Sequence, residues 1–323
     1  MKLRSLTLYF FTLVLLFFSS CKEDELGPTI FPDLEEEVDK NNHAYAFNQW
    51  LHDNYLLPYN LDFKYRMEDV GADMNYNLVP TKLNQAIDMA LLVKYLWFDS
   101  YSVAVNGDFL KLHGPRIIHL IGSPAYNPSS GTMILGLAEG GIKVTLFRCN
   151  VLNVADVDDL NEFYFKTMHH EFAHILHQTI MYPKEFNLIS SAHYEPFSWQ
   201  ERPEEISLSL GFVSSYGSSQ TREDFVEIIA NYIVHNDEQW ANFLDVASRG
   251  WELQADGTVK EVADDDGVDG KAVILQKLNI CKLWLKNSWN LDLDVLRDEV
   301  QYRQNNINME ELRKQLDQYT VQK

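Results

Sequence analysis

Cysteine is scarce in this chain, with three among 323 residues, and no pair has the close spacing of a zinc-binding motif. Thiolate-rich structural metal sites are therefore excluded, and Cys149 and Cys281 leave room for one disulfide at most. Both lie in apolar runs that suit buried thiols equally well. Positive charge is also short: 27 Lys and Arg stand against 47 Asp and Glu, for a formal net charge of −20. Such a surface repels phosphate backbones and anionic headgroups, so nucleic acid is not expected as a partner. No internal repeat is visible, and beyond the amino terminus no apolar run reads as a transmembrane segment.

Glycine and proline are missing from residue 156 to Pro183, and that absence marks a helix. Within it, Tyr164, Met168, Phe172 and Ile175 or Leu176 recur at steps of three or four and form a core-facing stripe. His170, Glu171 and His174 form an H-E-x-x-H pattern on the far side of that stripe. Histidines four apart share a helix face and rise about 6 Å along its axis, so both rings can meet one metal ion. The Glu between them is then placed as a general base for water. Chance supplies this pattern in roughly a few per cent of chains this rich in His and Glu, so its context has to carry the assignment.

The third ligand sets the subclass. A metzincin needs Gly and then His at the positions that His177 and Ile180 occupy, so that pattern fails. His177 lies one turn beyond His174 and about 10 Å along the axis from His170, which suits support or a surface position better than ligation. His169 reads the same way. Downstream, Thr221 opens a second helix whose apolar positions are Phe225, Ile228, Ile229 and Tyr232. Glu223 and Glu227, four apart, share another face. A carboxylate completes a His2Glu zinc set, and another one turn on can orient a ligand histidine through its free ring N–H. Alone, these acids would read as partners of the helix dipole.

Together with the histidine helix, this segment resembles the gluzincin metallopeptidases of the lethal-factor type. There a Tyr precedes the third-ligand Glu by seven residues and another Glu follows four later, the spacing of Tyr216, Glu223 and Glu227. The resemblance implies one catalytic Zn2+ on His170, His174 and Glu223, with Glu171 and Tyr216 catalytic and Glu227 behind a ligand. Tyr194 and His193 are also placed where they can reach a cleft. From about residue 41 to the C-terminus the chain is similar to the substrate import-associated zinc metallohydrolase lipoproteins, including residues 270–278 and 291–297. That resemblance implies hydrolysis of peptide or related amide bonds, in peptides or glycoproteins, beside an outer-membrane nutrient-import complex. The alternative is a glycan- or peptide-binding surface lipoprotein with a vestigial zinc site, although a binding module has no need of Glu171.

At the amino terminus, Lys2 and Arg4 precede an apolar run from Leu6 to Phe18, then Ser19, Ser20 and Cys21. Thirteen residues are short for a membrane span and suit a signal-peptide core. Small residues directly before a Cys resemble a lipobox, which makes Cys21 the lipidation site, although Phe18 departs from the usual aliphatic residue. The acidic stretch Lys22-Glu23-Asp24-Glu25 resembles an export signal of surface lipoproteins, so the expected location is the outer membrane, exposed at the cell surface.

The expected organisation is a lipoprotein signal peptide over 1–20, an acidic tether over 21–38 and one zincin-like domain over 39–323. Helices are expected at 41–57, 81–98, 221–235, 236–248, 270–288 and 292–318, and strands at 61–66 and 116–121. Residues 131–137 and 142–147 read as a hairpin, either strand of which is a candidate cleft edge. The fold class is α+β: a small twisted mixed-sheet lobe, the active-site helix and a helical C-terminal lobe. The acidic run at 264–270 is read as a surface loop, since a calcium loop there would need Gly at Asp269 and Glu at Leu275.

Overall fold

A computed structural model describes residues 44–320, except 68–75, 127–130, 132, 135, 140–141 and 264–266. The signal peptide and tether, with Cys21, lie outside the described residues, as does most of the acidic run at 264–270. The architecture is mixed α+β and mostly helical with small sheets, as expected.

The first lobe begins with α1 (45–59), whose middle turn, His52–Leu56, is π-helical. It ends at Asn60, which takes the left-handed conformation that terminates a helix. Strand β1 (Asp62–Lys64) follows, then α2 (83–104), which also carries a π-helical stretch, Val93–Phe98. After α3 (Phe109–His113) come β2 (Ile117–Leu120), β3 (Ala125–Tyr126), β4 (Met133–Ile134), β5 (Gly136–Glu139) and β6 (Lys143–Leu146). The main sheet runs β1-β2-β6-β5, with the first three strands parallel and β5 antiparallel to β6. The hairpin expected at 131–147 is present, but its first strand is split. Met133 and Ile134 pair with β3, and only 136–139 pair with β6. β5 is therefore the edge strand and β6 is internal.

The histidine helix α4 (157–179) opens at Asp156, whose side chain accepts from the Asp159 N–H. A π-helical turn, Asn161–Phe165, precedes the regular stretch Lys166–Thr179. The stripe lies inward as expected: Tyr164, Met168, Phe172 and Leu176 are buried, and Phe172 meets Trp97 and Tyr101 of α2 edge-on. Ile180 turns to extended backbone and stops the helix three residues before Pro183.

The second lobe holds α5 (Phe186–Ile189), α6 (Glu204–Ser209), α7 (Thr221–Val234), α8 (Asp237–Ala247), α9 (Gly270–Trp289), α10 (Leu293–Asn305) and α11 (Met309–Lys314). The last expected helix is thus two. Asn308 caps the second by accepting from the Glu311 N–H. A hairpin of β7 (Gly250–Leu253) and β8 (Val259–Val262) was not anticipated. Its signal is Asp256-Gly257, with Gly257 at φ +85° between alternating residues. Helix α7 is buried on all sides from Glu223 to Val234, packed against α4, α9 and α10. Cys149 and Cys281 are both buried free thiols, so the disulfide alternative is not realised.

Candidate metal centre

His170 and His174 project from α4 and Glu223 from the first turn of α7, the helix that packs most extensively on α4. Their donor atoms form an even triangle. His170 Nε2 lies 3.1 Å from His174 Nε2, and each lies 3.1 Å from Glu223 Oε2. A tetrahedral ion with N and O ligands at about 2.0–2.1 Å separates its donors by about 3.3 Å, so the triangle fits one zinc ion with a fourth position free. Among the described residues this is the group able to hold a metal.

Hydrogen bonding prepares the two rings as ligands. His170 Nδ1 lies 2.7 Å from Glu227 Oε1, so its N–H points at the carboxylate and Nε2 is the nitrogen turned to the triangle. Glu227 is itself held by Ser214 Oγ, donating at 2.6 Å, and by the Asn231 side-chain amide at 3.2 Å. Burial would raise the Glu227 carboxyl, but the Lys166 charge and the bonds from His170 and Ser214 hold it down to about 2. His174 Nδ1 meets His177 Nε2 at 2.8 Å, which gives His177 a supporting position and keeps it out of the triangle. Burial lowers His177 to about 4, with the neighbouring His174 adding to the effect, so it stays neutral and can accept. His169 faces the core, 3.1 Å from the Tyr101 hydroxyl, and burial lowers it to about 3.

Burial also disfavours charge on His170, yet its bonds to Glu223 and Glu227 outweigh that and raise its proton affinity well above the usual imidazole range. The Glu223 carboxyl moves the other way. Burial would raise it, and the two histidines pull it far below the carboxylate range. Two nitrogens and an oxygen this close, with a net attraction for positive charge, are what a cation site requires.

Glu171 is half-buried and makes no side-chain hydrogen bond among the described residues. Burial raises its carboxyl, opposed by His170 and His174 and assisted by Glu223 and Glu227. Tyr216 lies on a 3-10 turn, Tyr216–Ser219, with its ring 5.9 Å from that of His170 and 39% of its surface exposed. Burial and the neighbouring Glu223 push its phenol far above the usual range, so it remains a donor. Tyr194 goes elsewhere: its hydroxyl donates to Asp224 Oδ2 at 2.7 Å.

The structure thus brings His170, Glu171, His174, Tyr216, Glu223 and Glu227 together. Ser214, Asn231 and His177 complete the support. Asn231 follows Glu227 by one helical turn and His177 follows His174 by three residues, so local spacing could have found both. Ser214 had no sequence signal, because its position depends on the loop before α7.

The model of a family described as "Putative zinc-binding metallo-peptidase" matches residues 40–294. Among solved structures, a crystal structure described as that of a putative zinc-binding metallo-peptidase from Bacteroides caccae ATCC 43185 is 40% identical, with a TM-score of 0.67. The alignment covers 82% of this chain and 94% of that one. No curated protein matches the chain.

Proposed function

Since the chain belongs to this family of zinc-binding metallo-peptidases, we propose that it hydrolyses peptide or related amide bonds at the His170–His174–Glu223 centre. The observation that carries the reading is the 3.1 Å donor triangle with the unpaired Glu171 carboxylate beside it. A single zinc ion held by His170, His174 and Glu223 would polarise a carbonyl and bring the pKa of a bound water towards about 7. Glu171 takes the proton from the attacking water and returns it to the leaving nitrogen. In the metal-free site burial raises its proton affinity above that of an exposed carboxylate. Tyr216 donates its hydroxyl to the oxyanion that forms on the carbonyl oxygen. Glu227 holds the His170 ring in the ligating tautomer.

An extended substrate adds to the free edge of β5, which packs against α4. Lipidation at Cys21 would carry this site to the outer membrane and the cell surface, beside a nutrient-import complex. Lipidation and location rest on the amino-terminal sequence, and the import complex on the family resemblance from about residue 41 onward. Glu171→Gln tests the enzyme reading directly. Zinc should be retained at wild-type stoichiometry and cleavage of a peptide library lost; undiminished cleavage would contradict the assigned base.

A further inference from the structure

Residues 270–278 stand out in the sequence yet have no part in the chemistry above. They form the first turns of α9, and Gly270, Val273 and Lys277 lie against residues 208–211. A Cβ on Gly270 would lie 2.4 Å from the carbonyl oxygens of Leu208 and Ser209. One on Gly211, at φ +85°, would lie 2.2 Å from Val273. One turn after Val273 stands Lys277, the one lysine fully buried among the described residues, at 0% exposure.

Its ammonium sits among a carboxylate, a carbonyl and the rings of Phe212 and Phe186. It donates to Asp224 Oδ2 at 2.7 Å and to the Gly211 carbonyl at 2.8 Å, and lies 4.1 Å from the centre of the Phe212 ring. The same Asp224 oxygen accepts the Tyr194 hydroxyl. Taking both charges out of water is costly, and an apolar pair of similar volume would fill this space with less penalty. What the ion pair adds is direction, and its two partners sit at the roots of the metal centre. Asp224 follows Glu223 on the first turn of α7. Gly211 precedes Ser214, which holds Glu227, by three residues and Tyr216 by five.

We propose that Lys277 is a positioning residue of the metal centre, setting through Asp224 and Gly211 where Glu223 and the Ser214–Tyr216 loop stand relative to His170 and His174. One buried cation thereby ties α9 to the two segments that carry Glu223 and Ser214–Tyr216. The inference rests on the metal-site reading, but its test separates the two.

The double variant Lys277→Met/Asp224→Asn removes both charges while nearly keeping volume. Its far-UV circular dichroism and metal-free melting temperature should stay close to wild type. Zinc affinity should fall about tenfold or more, the range seen when groups supporting a metal ligand are lost. The visible spectrum of the Co2+-substituted protein should change, and kcat should fall more than KM moves. A folded double variant with wild-type zinc affinity and Co2+ spectrum overturns the proposal. If the pair does not fold, Asp224→Asn alone decides by the same readouts, with unchanged zinc affinity and spectrum again overturning it. Wild-type protein that takes up neither ion would overturn the metal-site reading and this role together.

Discussion

At the scale of residues, the centre is two ring nitrogens and a carboxylate oxygen turned to one point. Each histidine has one ring nitrogen engaged by a buried partner, so its other nitrogen is aimed into the triangle before any ion arrives. Glu227→Ala removes the partner of His170 Nδ1 and should weaken zinc binding about 10- to 100-fold, measured by competition with a chromophoric chelator. The proton inventory gives a second expectation. Metal-free His170 is held above the usual imidazole range, so it carries a proton at neutral pH that zinc must displace. Affinity should therefore rise with pH through the neutral range, with proton release visible by calorimetry in buffers of different ionisation enthalpy. A pH-independent affinity between 6 and 8 would contradict that charge state. Tyr216→Phe should keep zinc and lower kcat by about two orders of magnitude, the usual cost of losing an oxyanion donor. His170, Glu171 and His174 were legible in the sequence because four residues on one helix fix their relation locally. Ser214 was not, because no local spacing joins it to Glu227.

Elements show where periodicity is and is not enough. The stripe of α4 was readable, since one face had to meet a core. Its π-helical turn was not, because one inserted residue per turn is set by what packs there. Asn161, in that turn, exchanges side-chain bonds with Gln304 and donates to the Val234 carbonyl. Taken alone, Glu223 and Glu227 read as partners of the helix dipole, but they are buried with Asp224 and Asn231 among the apolar residues of α7. Each is instead partnered by another element or an adjacent turn, which makes their burial tolerable. The start of α9 gives a test at this scale. Gly270→Ala drives a methyl group into two carbonyl oxygens and should destabilise the fold by about 1–3 kcal/mol in urea unfolding. A neutral effect would mean that α9 can shift away from residues 208–209.

Across the whole molecule, the core is continuous from the aromatic residues of α1 and α2 through α4 and α7 to α9 and α10. The fold therefore does not depend on a metal for its core. Removing zinc with a chelator should leave far-UV circular dichroism unchanged while lowering the melting temperature. Zinc at a hundred times its Kd contributes about 2.7 kcal/mol by mass action. Loss of secondary structure on chelation would instead assign the ion a structural role. Cys21→Ser, or globomycin treatment, should release the protein from membranes if the lipobox is used as proposed.

The sequence by itself determined the histidine helix and the lobe order, because helical spacing and apolar patterning are local properties of a chain; Glu223 and Glu227 were singled out only through the resemblance to a known metallopeptidase segment. Only the tertiary structure decided which acid turns to which ring, that Tyr194 serves Asp224 while Tyr216 faces His170, and that β5 is an edge of the sheet among the described residues. Those outcomes depend on how the elements pack, and distances between residues 30 or more apart are not written in any short pattern.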